Sequence, residues 1–321
     1  MYSWLEQTYN NYLEMRRLNR LSHAVLICGA EGLGVRELSQ EIARVSLCSA
    51  KGLENCNCHS CAMLKANTHP DFIVVNKGEG SSIGVDQLRS CIEALEETST
   101  NAHGKVVLVE GANYMTTAAS NALLKTLEEP PRNSFIILTA NNVRSLLPTI
   151  ISRTMRLQVT IPPMDELNKF LQDLTHTDDD FRLALAVSGM SPLKVKTYIE
   201  NGLNQKLYEA VKIFADVVMK REQVVSFVNF VDKQIDKETL FGLLYVLLKD
   251  IMLYQNGVKI EHLHALGHYP DLLNKLVMVH PDSLNTAMRH IVSLKTVPGM
   301  KTSPVNNLQL VVWLNLLVSI K

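Results

Sequence analysis

Residues 123–131 read Leu123-Leu124-Lys125-Thr126-Leu127-Glu128-Glu129-Pro130-Pro131, and this segment is the strongest indication of the fold. It lies between two runs rich in valine, isoleucine and leucine, at 106–109 and 135–138. Such short runs are typical of strands that are covered on both faces. The leucines favour a short amphipathic helix, and the two prolines end it, because proline lacks the backbone N–H that a helix needs and disfavours helical geometry in the preceding residue. Strand, helix and strand in this order predict part of a parallel α/β sheet.

Further along the chain in both directions, the pattern predicts three domains. Five short apolar segments are predicted strands, at 24–27, 72–75, 106–109, 135–138 and 155–159. Helical patterns separate them, so we expect one parallel sheet in a first domain at 1–162. Strand patterns nearly vanish beyond it. We predict a small helical domain at 163–205, broken at Gly189 and Pro192, and a domain of long amphipathic helices at 206–321.

Composition limits the function classes. The 321 residues include 46% hydrophobic and 20% charged residues, with 32 basic and 32 acidic side chains and a formal net charge of zero. A protein that grips nucleic acid with its whole surface is basic, so neutrality disfavours an autonomous nucleic-acid binder. The first ten residues show no signal-peptide pattern, and no apolar run reaches the roughly 18 residues of a membrane span. We expect a cytoplasmic protein whose six cysteines are reduced unless they bind metal.

The first predicted strand runs into the glycine-rich turn Cys28-Gly29-Ala30-Glu31-Gly32-Leu33-Gly34-Val35-Arg36. A working phosphate loop has the form G-x-x-x-x-G-K-[ST], in which lysine reaches the phosphates and the hydroxyl binds Mg²⁺. Gly29 and Gly34 stand at the glycine positions, with Gly32 between them, but Val35 and Arg36 replace the lysine and the hydroxyl. Arginine has only donors and cannot bind Mg²⁺. We expect a degenerate loop without ATP chemistry, while residual nucleotide binding through backbone amides stays open.

Four cysteines form a second cluster. Cys48, Cys56, Cys58 and Cys61 fall within fourteen residues, and the last two make a C-x2-C pair. Four thiolates complete the tetrahedral shell of a structural zinc and leave no open position for catalysis. The alternative is four reduced thiols without metal. His59 is a weaker candidate ligand, because the four cysteines already complete the shell.

These features together resemble one family. The LLKTLEEPP string at 123–131 is similar to a hallmark of bacterial clamp-loader subunits, and with the degenerate loop the chain resembles the AAA+ clamp-loader family of DNA polymerase III. The resemblance implies an α/β AAA+ (RecA-like) domain with a zinc insertion at about 48–61, then a helical lid and an all-α collar. The family spacing of the cysteines is C-x8-C-x2-C-x2-C, from which this chain departs around Cys56.

The resemblance also implies roles for two further segments. Active members carry Asp-Glu, which bind magnesium and orient water, where this chain has Glu110-Gly111. The replacement of this Asp-Glu pair is a second departure from an active site, and it agrees with the loss of the lysine and the hydroxyl from the phosphate loop. Ser152-Arg153-Thr154 matches the family's Ser-Arg-Cys, whose arginine acts in trans on a neighbour's ATP. Arg153 is therefore the expected arginine finger, with Ser152 beside it, and the nearby Arg156 is a possible contributor.

The implied assembly is a pentameric hetero-oligomer that works in DNA replication. Its implied partners are gamma/tau and delta subunits, and through the complex the sliding clamp and primed DNA, with no membrane. In this reading the chain is a stator: it neither hydrolyses ATP nor polymerises DNA, and belongs to a nucleotidyltransferase holoenzyme. Two alternatives remain at this point. One is an active gamma/tau-type clamp-loader ATPase, which Val35 and Arg36 disfavour; the other is a zinc-dependent nucleic-acid-binding protein, which the neutral charge disfavours.

Overall fold

The computed structural model describes residues 1–50, 56–100, 104–175, 181–295 and 304–319. It divides into two compact units, Met1–Pro162 and Pro163–Lys321. Residues 51–55 of the predicted zinc module lie outside the described residues. Within the described part of the chain, no helix has the length and apolar character needed to cross a bilayer.

The first unit is built on five parallel strands in the order β2-β3-β4-β1-β5. The strands are β1 (Ala24–Cys28), β2 (Phe72–Val75), β3 (Lys105–Val109), β4 (Ser134–Ala140) and β5 (Met155–Gln158). Their register places Ala24 beside Ile136 and Val25 beside Met155. The predicted parallel α/β sheet is confirmed.

Helices cover both faces of this sheet. They are α1 (Glu6–Arg17), α2 (Val35–Leu47), α3 (His59–Lys65), α4 (Val85–Glu96), α5 (Thr117–Glu128) and α6 (Pro148–Ile151). Strand β1 is buried along its whole length, and its side chains alternate between two cores. Leu26 packs with residues of α4 and α5, whereas Val25 and Ile27 pack with residues of α1 and α2. Burial on both faces explains why the central strands β1, β3 and β4 read as largely apolar runs. The edge strands β2 and β5 each contain exposed residues.

The second unit contains helices and no described strand. They are α7 (Met164–Thr175), α8 (Arg182–Val187), α9 (Pro192–Glu200), α10 (Leu203–Val218), α11 (Val224–Gln234), α12 (Lys237–Gln255), α13 (Pro270–Leu276), α14 (Pro281–Lys295) and α15 (Pro304–Ser319). One hydrophobic cluster extends from Leu167 to Leu317, with the rings of Phe214 and Phe227 5.6 Å apart at its centre. The separate lid and collar at 163–205 and 206–321 stay a prediction.

Candidate functional site

The glycine-rich turn joins β1 to α2 and is filled by the chain's own side chains. A Cβ atom on Gly29 would lie 2.8 Å from Val35 Cγ2 and 2.9 Å from Val159 Cβ. Val35, at the position of the phosphate-binding lysine, therefore packs beside the first glycine. Gly34 has a φ of 87°, and a Cβ there would lie 2.9 Å from Leu5 Cδ1. Glycine is required at both positions, for close approach at the first and for left-handed backbone at the second.

The N-terminal residues cover the same turn. Trp4 Nε1 donates a hydrogen bond to the Leu33 carbonyl oxygen at 2.8 Å, and its ring stacks on Tyr2 with centroids 4.7 Å apart. Gly32, the middle glycine, has a φ of 78°. Sequence reasoning did not anticipate this cover, because nothing in a short aromatic segment says which turn it packs on.

Arg36 and Glu110 meet at the other side of the turn. Arg36 Nε lies 3.1 Å from Glu110 Oε1, and Asn76 Nδ2 donates to Glu110 Oε2 at 3.4 Å. Arg36 follows the turn on α2, and Glu110 follows the end of β3. These are the two positions at which a P-loop ATPase binds magnesium. Here a guanidinium, which has donors only, lies against the carboxylate.

The backbone conformation and the neighbours of Gly111 require glycine at this position. Its φ is 77°, its N–H donates to Thr139 Oγ1 at 2.9 Å, and a Cβ would lie 2.7 Å from Tyr114 Cδ2. A glutamate at this position would strain the backbone and collide with the tyrosine ring. The local structure therefore disfavours the side chain that an active site needs to orient water.

Arg153 lies just beyond α6, and about a third of its side chain is exposed. Its Nη2 lies 2.6 Å from Glu128 Oε1, and its Nη1 donates to the Thr149 carbonyl oxygen at 3.1 Å and to Ser152 Oγ at 3.4 Å. The two sequence segments that carry the family resemblance thus meet, because Glu128 is the last residue of α5. Arg156 lies apart on β5 and donates to Gln158 Oε1 at 2.7 Å.

The structure brings the four predicted cysteines together. Their sulfur atoms all lie within 4.8 Å of one another, and Cys48 Sγ is 3.9 Å from Cys58 Sγ. Zinc–sulfur bonds of about 2.3 Å give sulfur–sulfur edges of about 3.8 Å in a tetrahedron. Cys48 and Cys61 are buried, while Cys56 and Cys58 are half-buried. The cluster therefore fits a four-thiolate metal site despite its unusual spacing.

Backbone groups favour the thiolate form at Cys58. The N–H of Cys61 is the largest influence, and with the N–H of Ser49 it lowers the pKa of the Cys58 thiol to about 6. Burial acts in the opposite direction on Cys61 and raises the pKa of its thiol. His59 stands outside the four-sulfur group and begins α3. Metal binding requires deprotonated sulfur, so the lowered pKa of Cys58 favours its role as a ligand.

Known proteins resemble this chain. The family model for "DNA polymerase III, delta subunit" matches residues 4–163. DNA polymerase III subunit delta' of Haemophilus influenzae is 33% identical over 236 residues, which are 73% of this chain and 72% of that relative. The Escherichia coli subunit delta' is 34% identical over 196 residues, which are 60% of this chain and 58% of the relative's length.

A solved structure of a DNA polymerase III gamma subunit-related protein from Thermotoga maritima is also similar. It is 20% identical, with 96% of this chain and 91% of the other covered, at a TM-score of 0.39.

Proposed function

This chain belongs to the family of DNA polymerase III delta' subunits, and from that premise we propose that it is a non-hydrolysing clamp-loader subunit that lends Arg153 to a neighbour's ATP site. Its AAA+ domain acts as a stator in a hetero-oligomeric loader that places the sliding clamp on primed DNA during replication in the cytoplasm. The proposed partners are the gamma/tau and delta subunits, with a pentamer as the assembly.

The observation that carries the non-hydrolysing half of the proposal is the Arg36–Glu110 ion pair. ATP hydrolysis needs a cation that bridges phosphate oxygens and is held by a hydroxyl and a carboxylate. In this chain the hydroxyl position is Arg36, and its guanidinium lies 3.1 Å from the carboxylate. Val35 adds no charge to the loop, and Gly111 adds no carboxylate. Three groups that the reaction requires are therefore replaced by groups that cannot perform it.

The surroundings of Arg153 are compatible with the proposed action in trans. About a third of the Arg153 side chain is exposed, and its contacts with Glu128 and the Thr149 carbonyl oxygen restrict the rotation of the guanidinium. An arginine that enters a neighbour's site stabilises charge on the transferred phosphoryl group. Restriction beforehand reduces the entropy lost when the guanidinium meets a phosphate. We assign the finger to Arg153, with Ser152 as a positioning residue.

The metal that we propose for the four-cysteine cluster is zinc. Cys48, Cys56, Cys58 and Cys61 would hold it, and their sulfur spacing supports a closed tetrahedral shell. When bound, the ion supplies a structural cross-link between the end of α2 and the start of α3. A closed thiolate shell leaves no position for a substrate, so the role is in folding rather than in catalysis.

The experiment is co-purification of the chain with gamma/tau and delta subunits, followed by ATP and DNA titrations of the isolated chain. We expect a stable complex, no hydrolysis by the isolated chain, and no tight salt-dependent DNA binding. Hydrolysis by the chain alone would support the gamma/tau-type alternative. Tight salt-dependent binding of the chain alone to DNA would support the nucleic-acid-binding alternative. Failure to join the loader subunits would overturn the proposal.

A further inference from the structure

A largely enclosed, half-buried arginine contacts the four-cysteine cluster from outside. Arg44 lies on α2, one turn before Cys48, and only 15% of its side chain is exposed. Its Nη1 donates to Cys61 Sγ at 3.6 Å. Cys61 is fully buried, so water does not solvate its sulfur. The arginine is thus a charged donor to the most enclosed sulfur of the cluster.

Glu41 fixes the direction of that donor. Arg44 Nε donates to Glu41 Oε2 at 2.8 Å, and Arg44 Nη2 donates to Glu41 Oε1 at 2.6 Å. Two parallel bonds to one carboxylate hold a guanidinium in a plane. The remaining terminal nitrogen, Nη1, then points to the sulfur. Lysine has a single nitrogen on a flexible stem and cannot reproduce this fork.

Tyr9 extends the chain of contacts to a third helix. Its hydroxyl donates to Glu41 Oε1 at 3.0 Å, and its ring is buried. Burial and the neighbouring Glu41 carboxylate raise the pKa of Tyr9, so the hydroxyl keeps its proton. The series Tyr9–Glu41–Arg44–Cys61 therefore links α1, α2 and α3 through four hydrogen-bonding groups.

The chemistry of a thiolate site explains what such a series does. Four thiolates and one zinc ion carry a net charge of −2, and burying that charge is costly unless donors compensate it. An N–H donor to sulfur stabilises the charged form. Hydrogen-bonded neighbours of a ligand typically change metal affinity by about 10–100-fold when they are removed.

We propose that Arg44 positions the Cys61 sulfur as a ligand of the metal centre. Arg44 is itself held in place by Glu41 and Tyr9. The inference rests on the proposed zinc site and goes beyond it, because it makes metal retention depend on a residue of α1. Residues of α1, α2 and α3 then contribute to metal retention, and not the cysteine segment alone.

The test measures metal release from the full-length chain. Zinc-loaded wild type and the variants Arg44→Gln, Arg44→Lys, Glu41→Gln and Tyr9→Phe are mixed with an excess of a coloured chelator, and the release rate is recorded. The matched control is Arg16→Gln, because Arg16 on α1 also contacts α2, by donating to the Val45 carbonyl oxygen at 2.6 Å. Circular dichroism at saturating zinc verifies that each variant is folded.

We expect Arg44→Gln and Arg44→Lys to release zinc at least about 10-fold faster than wild type, in line with the loss of an outer-shell partner. Glu41→Gln should be intermediate, Tyr9→Phe about two- to three-fold faster, and Arg16→Gln close to wild type. Cobalt-loaded Arg44 variants should also show shifted sulfur-to-metal charge-transfer bands. Equal release from wild type, both Arg44 variants and Arg16→Gln would overturn this inference and leave the zinc assignment intact. A wild-type chain that binds no zinc would overturn both.

Discussion

Arg36 and Glu110 stand at two positions that a P-loop ATPase uses for magnesium, and in this chain their side chains meet each other. Arg36 is 71% exposed, and ion pairs of such exposure contribute about 0–1 kcal/mol to stability. The pair is therefore too weak to matter to the fold. Its effect is local, because the carboxylate faces a cationic side chain.

The first prediction concerns ATP hydrolysis by the isolated chain. We expect no magnesium-dependent phosphate release from wild type or from the double variant V35K/R36T. The double variant restores the lysine and the hydroxyl, but Gly111 still supplies no carboxylate to orient water. A sensitive phosphate-release assay checks this. Saturable hydrolysis that disappears in Glu110→Gln would contradict the prediction, because it would show that Glu110 serves a working site.

A second prediction concerns His69 and the pH dependence of the stability of the chain. The residue is 5% exposed, and its Nδ1 accepts a hydrogen bond from the Asp71 backbone N–H at 3.1 Å. Burial lowers the pKa of His69 below its ordinary value. The unfolded chain then binds the proton more readily than the folded chain. Stability that is present above about pH 6.5 is lost as the pH falls from there toward the lowered folded-state pKa.

Urea unfolding at pH 7.5 and 5.5 measures this loss. In His69→Asn the amide oxygen can still accept from Asp71, but the side chain no longer titrates. We expect the fall in unfolding free energy between the two pH values to be smaller in the variant than in wild type. An identical fall in both proteins would show that His69 is not a source of the pH dependence.

The close approach of β3 to β4 depends on one glycine. Gly104 precedes β3, has a φ of 84°, and a Cβ there would collide with the Asn133 carbonyl oxygen. That oxygen accepts the hydrogen bond of the Lys105 N–H at 2.9 Å. Any side chain would both strain the backbone and push this carbonyl away from the strand that it joins.

The third prediction follows from that contact. Gly104→Ala should lower the unfolding free energy by about 3 kcal/mol or more, because left-handed backbone costs about 1–2 kcal/mol and the clash adds to it. The control is Gly78→Ala, where φ is also positive at 55° and no atom lies within 4 Å of the new Cβ. Its loss should stay near 1 kcal/mol. Equal losses in urea unfolding would mean that the contact with Asn133 is unimportant.

The sequence predicts the strands well because each has a short local pattern, which is most apolar in the buried central strands β1, β3 and β4. All five predicted segments become strands, although the last one ends at Gln158 rather than at Val159. No comparable local sequence pattern specifies the order of the strands. The position of β1 between β4 and β5 depends on crossover connections, and no local pattern at Ala24 or Val25 specifies Ile136 or Met155 as neighbours.

The candidate sites divide in the same way. The four cysteines are close in sequence, so their spacing alone predicted the cluster that the structure brings together. The contacts of Arg44 with Cys61 and of Glu128 with Arg153 join different elements. Charged side chains on helices are common, and their sequence does not tell a solvated residue from a paired one. Such partners become visible only when tertiary packing places them.

The predicted site residues and the long C-terminal helices belong to different units of the chain. Every predicted site residue, from Gly29 to Arg153, lies in the unit Met1–Pro162. The second unit has a core of its own, in which buried Asp250 accepts hydrogen bonds from the backbone N–H groups of His264, Ala265 and Leu266 at 2.7–2.9 Å. In the proposed loader we expect this unit to serve association, so a change at Arg153 should alter turnover and leave assembly unchanged.

The last prediction tests that separation in a reconstituted loader. Arg153→Ala should fold and assemble like wild type, because its ion pair with half-exposed Glu128 contributes at most about 1 kcal/mol. ATP turnover by the complex should fall, with the loss at the adjacent site approaching the 10³–10⁵-fold that arginine fingers contribute in other NTPases. Arg153→Lys should rescue poorly, since an ammonium group lacks the planar fork of the guanidinium.

Two further variants separate the finger from its surroundings. Glu128→Ala removes the partner of Arg153 but keeps the guanidinium, so turnover should fall by only a few-fold, as expected for a lost orienting contact of about 1 kcal/mol. Arg156→Ala is the matched control, because Arg156 is an exposed arginine of the same unit that pairs with Gln158. Turnover and clamp loading on primed DNA are measured together with complex formation. If Arg153→Ala assembles and loads clamps at the wild-type rate, Arg153 does not act in trans, and the chain serves the loader as a scaffold alone.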